Sequence, residues 1–270
     1  MRRNLIDLYK KKKFKPYIIA EIGNNHNGDF NKAKKLIYEA KRSGADCVKF
    51  QTFSTNSLFS KNFLIKNKAL KKQSDKFTLK LNQFQYLKNY ADKIKINFIA
   101  TPFSFKEVDY LIDKLKLKLL KIASMDLNNY PLIQYIAKKK VSVILSTGFG
   151  TKAEICKAVS ILKKNKIKFF LLHCISEYPP NFKKLNLNRI NHLKEFFSVP
   201  IGFSDHSIGT DASISALTLG ANIIEKHFTL NKNLKGWDHS ISASPNELKT
   251  ICDFSKKIPE ILGKKNIYRV

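Results

Sequence analysis

Two lysines, four histidines, a few carboxylates and a set of hydroxyls recur in this chain at the ends of short apolar runs. Glu21 is followed by Asn24, Asn25 and His26; Lys49 and Gln51 close a second run, Thr101 a third, Lys121 and Ser124 a fourth. Ser146 with Thr147, His173 with Ser176 and Tyr178, Ser204 with Asp205 and His206, and Glu225 with His227 continue the series. Ammonium and hydroxyl groups donate to phosphate and carboxylate oxygens, so the lysines and hydroxyls suit a substrate bearing both anions. His206 and His227 end neighbouring runs and offer two imidazoles to one divalent metal ion. A histidine taken singly is more often a hydrogen-bonded structural group; two together, beside Asp205 and Glu21, favour a metal. Asp238 and His239, in the GWDHS segment, are expected to close over the same groups, unless that segment is a surface loop in which Trp237 simply packs.

The runs themselves indicate what brings such scattered residues together. They are Tyr17–Gly23, Asp46–Thr52, Ile96–Thr101, Lys118–Ser124, Ser142–Gly148, Phe169–Cys174, Pro200–His206 and Asn222–Phe228. Amphipathic stretches such as Lys32–Arg42, Lys152–Lys163 and Asp211–Leu219 lie between them. Near-continuous apolar runs alternating with helices read as parallel strands covered by helices. Eight such units, with no GxGxxG turn after the first strand, fit a barrel better than a doubly wound sheet. The expectation is a single (β/α)₈ TIM barrel of the α/β class over residues 17–270, after a basic lead-in at 1–16. In that fold the C-terminal strand ends carry the active site, and here those ends are polar. Residues 53–80, in the longest gap, show little periodicity and read as a binding loop or lid.

Composition bounds the alternatives. The 270 residues are close to the roughly 250 of one TIM barrel, and 43% are hydrophobic, which excludes a disordered chain. No run of eighteen apolar residues occurs, and the basic start has no apolar stretch after it, so a cytoplasmic protein without membrane segments is expected. Cys47, Cys156, Cys174 and Cys252 are scattered, with no paired metal spacing. The net charge of +29 is the one feature that suggests nucleic acid. However, it comes mainly from lysine, in runs such as Lys10–Lys13, Lys138–Lys140 and Lys163–Lys164, while arginine, the usual base reader, is scarce. A lysine-rich surface that gathers anionic substrates is the expectation, with no nucleic-acid partner.

The motifs AEIGNNHNGD (Ala20–Asp29), VKFQTF (Val48–Phe53), ATPFS (Ala100–Ser104) and KIAS…NNYPLI (Lys121–Ile133) resemble the N-acetylneuraminate (sialic acid) synthase family. LSTGF (Leu145–Phe149), LLHCISEYP (Leu171–Pro179), GFSDHSIG (Gly202–Gly209) and EKHFTL (Glu225–Leu230) continue the resemblance in the same order. It implies a barrel that joins phosphoenolpyruvate to an open-chain amino sugar such as N-acetylmannosamine. By motif, Lys49, Thr101, Lys121, Ser124, Ser146, Ser176 and Ser204 match the phosphoenolpyruvate cradle; Ser176 stands where members often have Asn. His206 and His227 match the Mn²⁺ or Mg²⁺ ligands, and Tyr178 and Asp238 match sugar contacts. Glu21 matches the catalytic carboxylate, and Asp126, standing where Glu is common, is the second catalytic candidate that the resemblance implies.

In the implied chemistry the metal polarises the aldehyde oxygen and C3 of phosphoenolpyruvate attacks that carbon. Water then adds at C2, and phosphate leaves by carbon–oxygen cleavage. Typical members continue into a small antifreeze-protein-like domain that covers the partner's barrel in a head-to-head dimer, whereas this sequence ends at Val270. A homodimer or a separate chain supplying the lid is the corresponding expectation. Two alternatives stand beside it: a barrel condensation that takes a phosphorylated acceptor, and a non-catalytic sugar-binding barrel subunit.

Overall fold

The computed structural model describes residues 3–10 and 15–263. Most of the Lys10–Lys13 run, part of the 1–16 lead-in and the end of the chain at Val270 lie outside the described residues. Eight strands form one sheet: β1 (Tyr17–Gly23), β2 (Cys47–Thr52), β3 (Asn97–Pro102), β4 (Leu119–Ile122), β5 (Ser142–Ser146), β6 (Phe169–Cys174), β7 (Ile201–Asp205) and β8 (Ile223–His227). The order is β3-β2-β1-β8-β7-β6-β5-β4, neighbouring strands in that order pair in parallel, and β4 lies against β3 to bring the ring round. Several strands end sooner than their apolar runs suggest, because the polar tails turn out of the ladder. Ser124–Asp126, for example, forms a 3₁₀ turn.

The two-residue period of a strand divides the barrel into faces and layers. Ile18, Ala20 and Ile22 of β1 point outward into the core shared with the helices. Tyr17 and Ile19 point inward, meeting Cys47, Ile99, Ile144, Phe170, Leu172 and Ile223 in an apolar lower layer. The next inward positions are polar: Glu21, Lys49, Thr101, Lys121, Ser146, Ser204 and Glu225, all buried. Apolar layers make the barrel a packed core, and the polar layer above is what the fold leaves for chemistry. The short 3₁₀ helix Leu5–Lys10 joins the lower layer, with Leu5 buried in it and Leu8 and Tyr9 packed alongside. That stretch of the lead-in is therefore part of the barrel's floor.

Outer helices begin where the sequence supplies caps. Asp29 accepts from the Lys32 amide to start Phe30–Arg42, and Thr151 with Glu154 forms a capping box at Lys152–Lys164. Residues 53–80 differ from a plain loop. They contain three short helices, Thr55–Leu58, Lys61–Lys66 and Lys68–Phe77, the first two capped by Ser54 and Ser60. The first two are too short to display an amphipathic repeat. Among the described residues no helix is long and apolar enough to cross a membrane.

Candidate active site

The upper layer opens into a cavity of about 430 Å³ at the C-terminal ends of the strands. Its floor is a buried ion network. Lys49 Nζ lies 2.6 Å from Glu21 Oε2 and 3.7 Å from Glu225 Oε2, and Lys121 Nζ lies 3.2 Å from Glu225 Oε1. Ser204 Oγ donates to Glu225 Oε1 at 3.0 Å, and Lys49 Nζ donates to Thr101 Oγ1 at 3.3 Å. Strand alternation puts all six side chains on one face, and the closed ring of strands brings them within reach.

Burial raises the Glu21 carboxyl to about 7, against the pull of Lys49. Burial alone would lower Lys49, but Glu21 and Glu225 outweigh it and hold that ammonium above its ordinary range. At Lys121 burial wins over Glu225, and its affinity for the proton falls. Glu225 would be raised by burial, but Lys121 and Lys49 keep it below the usual carboxylate range. Of the two carboxylates in the network, Glu21 is thus the one more readily protonated near neutrality. Its Oε1, together with Ser146 Oγ, is buried without a hydrogen-bond partner among the described residues. Unpaired buried polar atoms around a cavity indicate groups that a ligand satisfies.

Two glycines leave room for these groups. Gly23, at φ +51°, ends β1 beside a register shift, and a Cβ there would lie 3.1 Å from Glu21 Oε1. Gly148 donates its N–H to Ser124 Oγ at 3.0 Å. A Cβ on it would meet Ser176 Oγ at 2.3 Å and Ser124 Oγ at 2.8 Å. The loops after β4, β5 and β6 thereby bring two hydroxyls to one wall.

Next to that wall, in contact with Cys174 and Ile175, His206 faces His227, with ring centroids 5.5 Å apart. His206 Nδ1 contacts the Ile175 carbonyl at 2.8 Å, which assigns the proton to Nδ1 and leaves Nε2 facing the Tyr178 hydroxyl at 3.1 Å. Burial, then the neighbouring His206, keeps His227 well below the ordinary histidine range and so neutral. At His206 burial is outweighed by Cys174 and the Ile175 carbonyl, so its proton affinity rises. His227 Nδ1 is buried without a hydrogen bond, with Asp238 Oδ2 3.6 Å away. Among the described residues no three His, Cys, Asp or Glu side chains converge as a ready-made metal cage. Two facing imidazoles with a nearby carboxylate do fit a divalent ion that completes its shell with substrate and water.

Of the residues expected at the site, Glu21, Lys49, Thr101, Lys121, Ser124, Ser146, Ser176, Tyr178, Ser204, His206, His227 and Asp238 all line the cavity. Asp126 does not; its Oδ1 accepts from Asn129 Nδ2 at 3.0 Å, in the same turn as Ser124. Asp205 points outward to Lys226, and His173 contacts the Leu185 carbonyl at 2.7 Å, so both support the barrel wall. His239 contacts Thr229 and Asn27 instead of the mouth, latching the loop that carries Trp237 and Asp238 inward. Glu225 had no role assigned from sequence, although its place two residues before His227 puts it on the same inward face. The apolar lining residues Leu58, Phe59, Leu70 and Phe103 were not anticipated either.

The chain matches the NeuB family over residues 36–267. It is 42% identical to the N,N'-diacetyllegionaminic acid synthase of Campylobacter jejuni, covering 92% of this chain and 78% of that protein. With the human N-acetylneuraminate-9-phosphate synthase it shares 33% identity, over 92% of this chain and 71% of the relative. The crystal structure of the N-acetylneuraminic acid (sialic acid) synthetase of Leptospira borgpetersenii superimposes with a TM-score of 0.90 at 39% identity. That match covers 95% of this chain and 88% of the other.

Proposed function

This chain belongs to the NeuB family, and we propose that it condenses phosphoenolpyruvate with an N-acetylated amino sugar of the N-acetylmannosamine type. The products are a nine-carbon, sialic-acid-type 2-keto sugar acid and phosphate. The observation that carries this reading is one cavity combining two buried lysines, a ring of hydroxyls and two facing imidazoles.

In this reading Lys49 and Lys121, with Thr101, Ser124, Ser146, Ser176 and Ser204, hold the phosphate and carboxylate of phosphoenolpyruvate. Glu21 and Glu225 balance the two ammoniums in the free protein, and an arriving dianion takes over part of that pairing. The lysines are already fixed, so charge shifting in the reaction meets preorganised donors. Glu21, with its raised proton affinity and an unpaired Oε1, holds or moves a proton near the reacting carbons. Asp126 acts on the turn that presents Ser124. Tyr178 and Asp238 contact the sugar. His206 and His227 would hold a divalent metal, Mn²⁺ or Mg²⁺, and such an ion supplies Lewis-acid polarisation of the aldehyde oxygen.

The direct test is phosphate release from phosphoenolpyruvate with Mn²⁺ and a panel of N-acetylated hexosamines, with mass spectrometry of the products. Silence with every acceptor would overturn the reading. Lys121→Ala is expected to weaken phosphoenolpyruvate binding by about 1.5–3 kcal/mol, the loss of one charge-assisted donor. A wild-type dissociation constant by calorimetry would remove Lys121 from the cradle. Gly148→Ala is expected to lower kcat/KM for phosphoenolpyruvate about 100-fold, because shifting two hydroxyls misaligns the substrate. Unaltered kinetics would separate Ser124 and Ser176 from the reaction.

A further inference from the structure

The geometry points to Glu107 as a positioning residue for the reaction: its carboxylate seats residues 53–80 over the cavity by clamping the ends of β2 and β3 together. The inference rests on the condensation reading above and adds to it a residue that lies outside the cavity lining.

The parallel ladder between β2 and β3 ends at the pair Thr52 and Pro102. Past that pair the two chains diverge, and their amides need other acceptors. Glu107, only 4% exposed, serves both chains. Its Oε2 accepts from the Phe103 amide at 2.8 Å, and its Oε1 accepts from the Ser54 amide at 3.2 Å and the Ser57 hydroxyl at 2.6 Å. Ser104 and Glu107 have the S-x-x-E spacing of a capping box. In the boxes at Thr151 and Ser244 the glutamate returns to the amide of its own cap residue, at 2.8 Å from Glu154 and 2.7 Å from Glu247. Glu107 instead reaches one residue further back and across to the neighbouring loop. Among the described residues no lysine or arginine pairs with it, in a chain that carries 50 of them. A buried carboxylate held by neutral donors alone is costly to keep, and each of its bonds fixes the wall of the mouth.

The wall depends on this clamp through a short series of contacts. Leu58 and Phe59 belong to the helical turn that starts at Ser54, and Phe103 follows β3; all three line the cavity. Thr55, in the same turn, joins its hydroxyl to Ser74 at 3.0 Å, which ties down Lys68–Phe77 and with it Leu70. Phe77 and Phe53 then hold Trp237, with ring centroids 5.4 and 6.3 Å away. The cavity floor is independent of that series. Lys49 and Thr101 lie inside the β2–β3 ladder, and Lys121, Ser146 and Ser204 stand on other strands. Releasing the clamp therefore loosens the wall and leaves the anion cradle in place.

The test is Glu107→Gln, which keeps the shape but turns one acceptor oxygen into a donor facing a donor. Amide hydrogen exchange over residues 54–77 is expected to quicken about tenfold, the loss of one charge-assisted hydrogen bond, with the barrel strands unchanged. For whichever N-acetylated hexosamine the wild-type protein turns over, kcat/KM should fall about 100-fold through misplacement. The dissociation constant of phosphoenolpyruvate, measured by calorimetry, should stay at its wild-type value. Unchanged exchange over residues 54–77 overturns the inference. Quickening spread evenly over all eight strands also overturns it, because that marks a residue which only stabilises the fold. Local loosening with unaltered kcat/KM overturns it too, since the wall would then not position the reaction. If the wild-type protein releases no phosphate with any acceptor, the condensation reading fails by itself. The clamp then stands on local loosening in the exchange experiment and falls on its absence.

Discussion

Lys226→Met is expected to lower the free energy of unfolding by about 3–5 kcal/mol, the cost of leaving a buried charge without its partner. Lys226 and Asp205 are both fully buried, with Nζ 3.0 Å from Oδ2. They are direct cross-strand partners at the upper ends of β7 and β8. Lys226 also donates to the Ser207 carbonyl, while Asp205 accepts from the Ser207 amide at 2.8 Å and the Ser213 hydroxyl at 2.6 Å. Methionine fills the volume of the lysine stem, so the loss isolates the charge. Adding Asp205→Asn should return much of the stability, giving the positive coupling of a contacting pair. Urea denaturation of the two single variants and the double variant measures this. A single-variant loss below about 1 kcal/mol would mean that water, the Ser207 amide and the Ser207 and Ser213 hydroxyls already satisfy Asp205.

The same pair explains why the barrel was easier to read from sequence than its site. Strand alternation is a local property, so Tyr17–Gly23 and Phe169–Cys174 were legible as strands to the residue. The inward–outward assignment follows from it once one position is known. Asp205 lies next to His206, and sequence adjacency grouped the two. The pleat sends Asp205 to the outer face, where Lys226 meets it. Glu225 was legible as a strand-end polar group, but its contact with both lysines depends on the ring bringing strands distant in sequence within reach. The apolar lining residues Leu58, Phe59 and Leu70 were the least legible. Thr55–Leu58 is barely one turn long, and the placement of Lys68–Phe77 depends on a tertiary contact, Phe77 against Trp237. His173 shows the converse error: a histidine at a strand end that faces the helices and serves the Leu185 carbonyl.

His227→Ala should abolish high-affinity Mn²⁺ binding and reduce turnover by about 10³-fold or more, the equivalent of several kcal/mol of Lewis-acid stabilisation. The fold should survive, because the side chain points into the cavity and its Nδ1 makes no hydrogen bond within the described barrel. His173→Ala is the matched control. It removes a buried contact to the Leu185 carbonyl outside the cavity, costing about 1 kcal/mol of stability, and should leave Mn²⁺ affinity unchanged. Electron paramagnetic resonance titration of Mn²⁺ separates the two variants without relying on activity. Retention of wild-type Mn²⁺ affinity in His227→Ala would take this histidine out of the metal site. The aldehyde would then have to be polarised by donors of the chain itself, such as the Tyr178 hydroxyl, 3.1 Å from His206 Nε2. Loss of Mn²⁺ binding with an intact melting profile would instead tie both imidazoles to one ion, since the rings face each other across the same cavity.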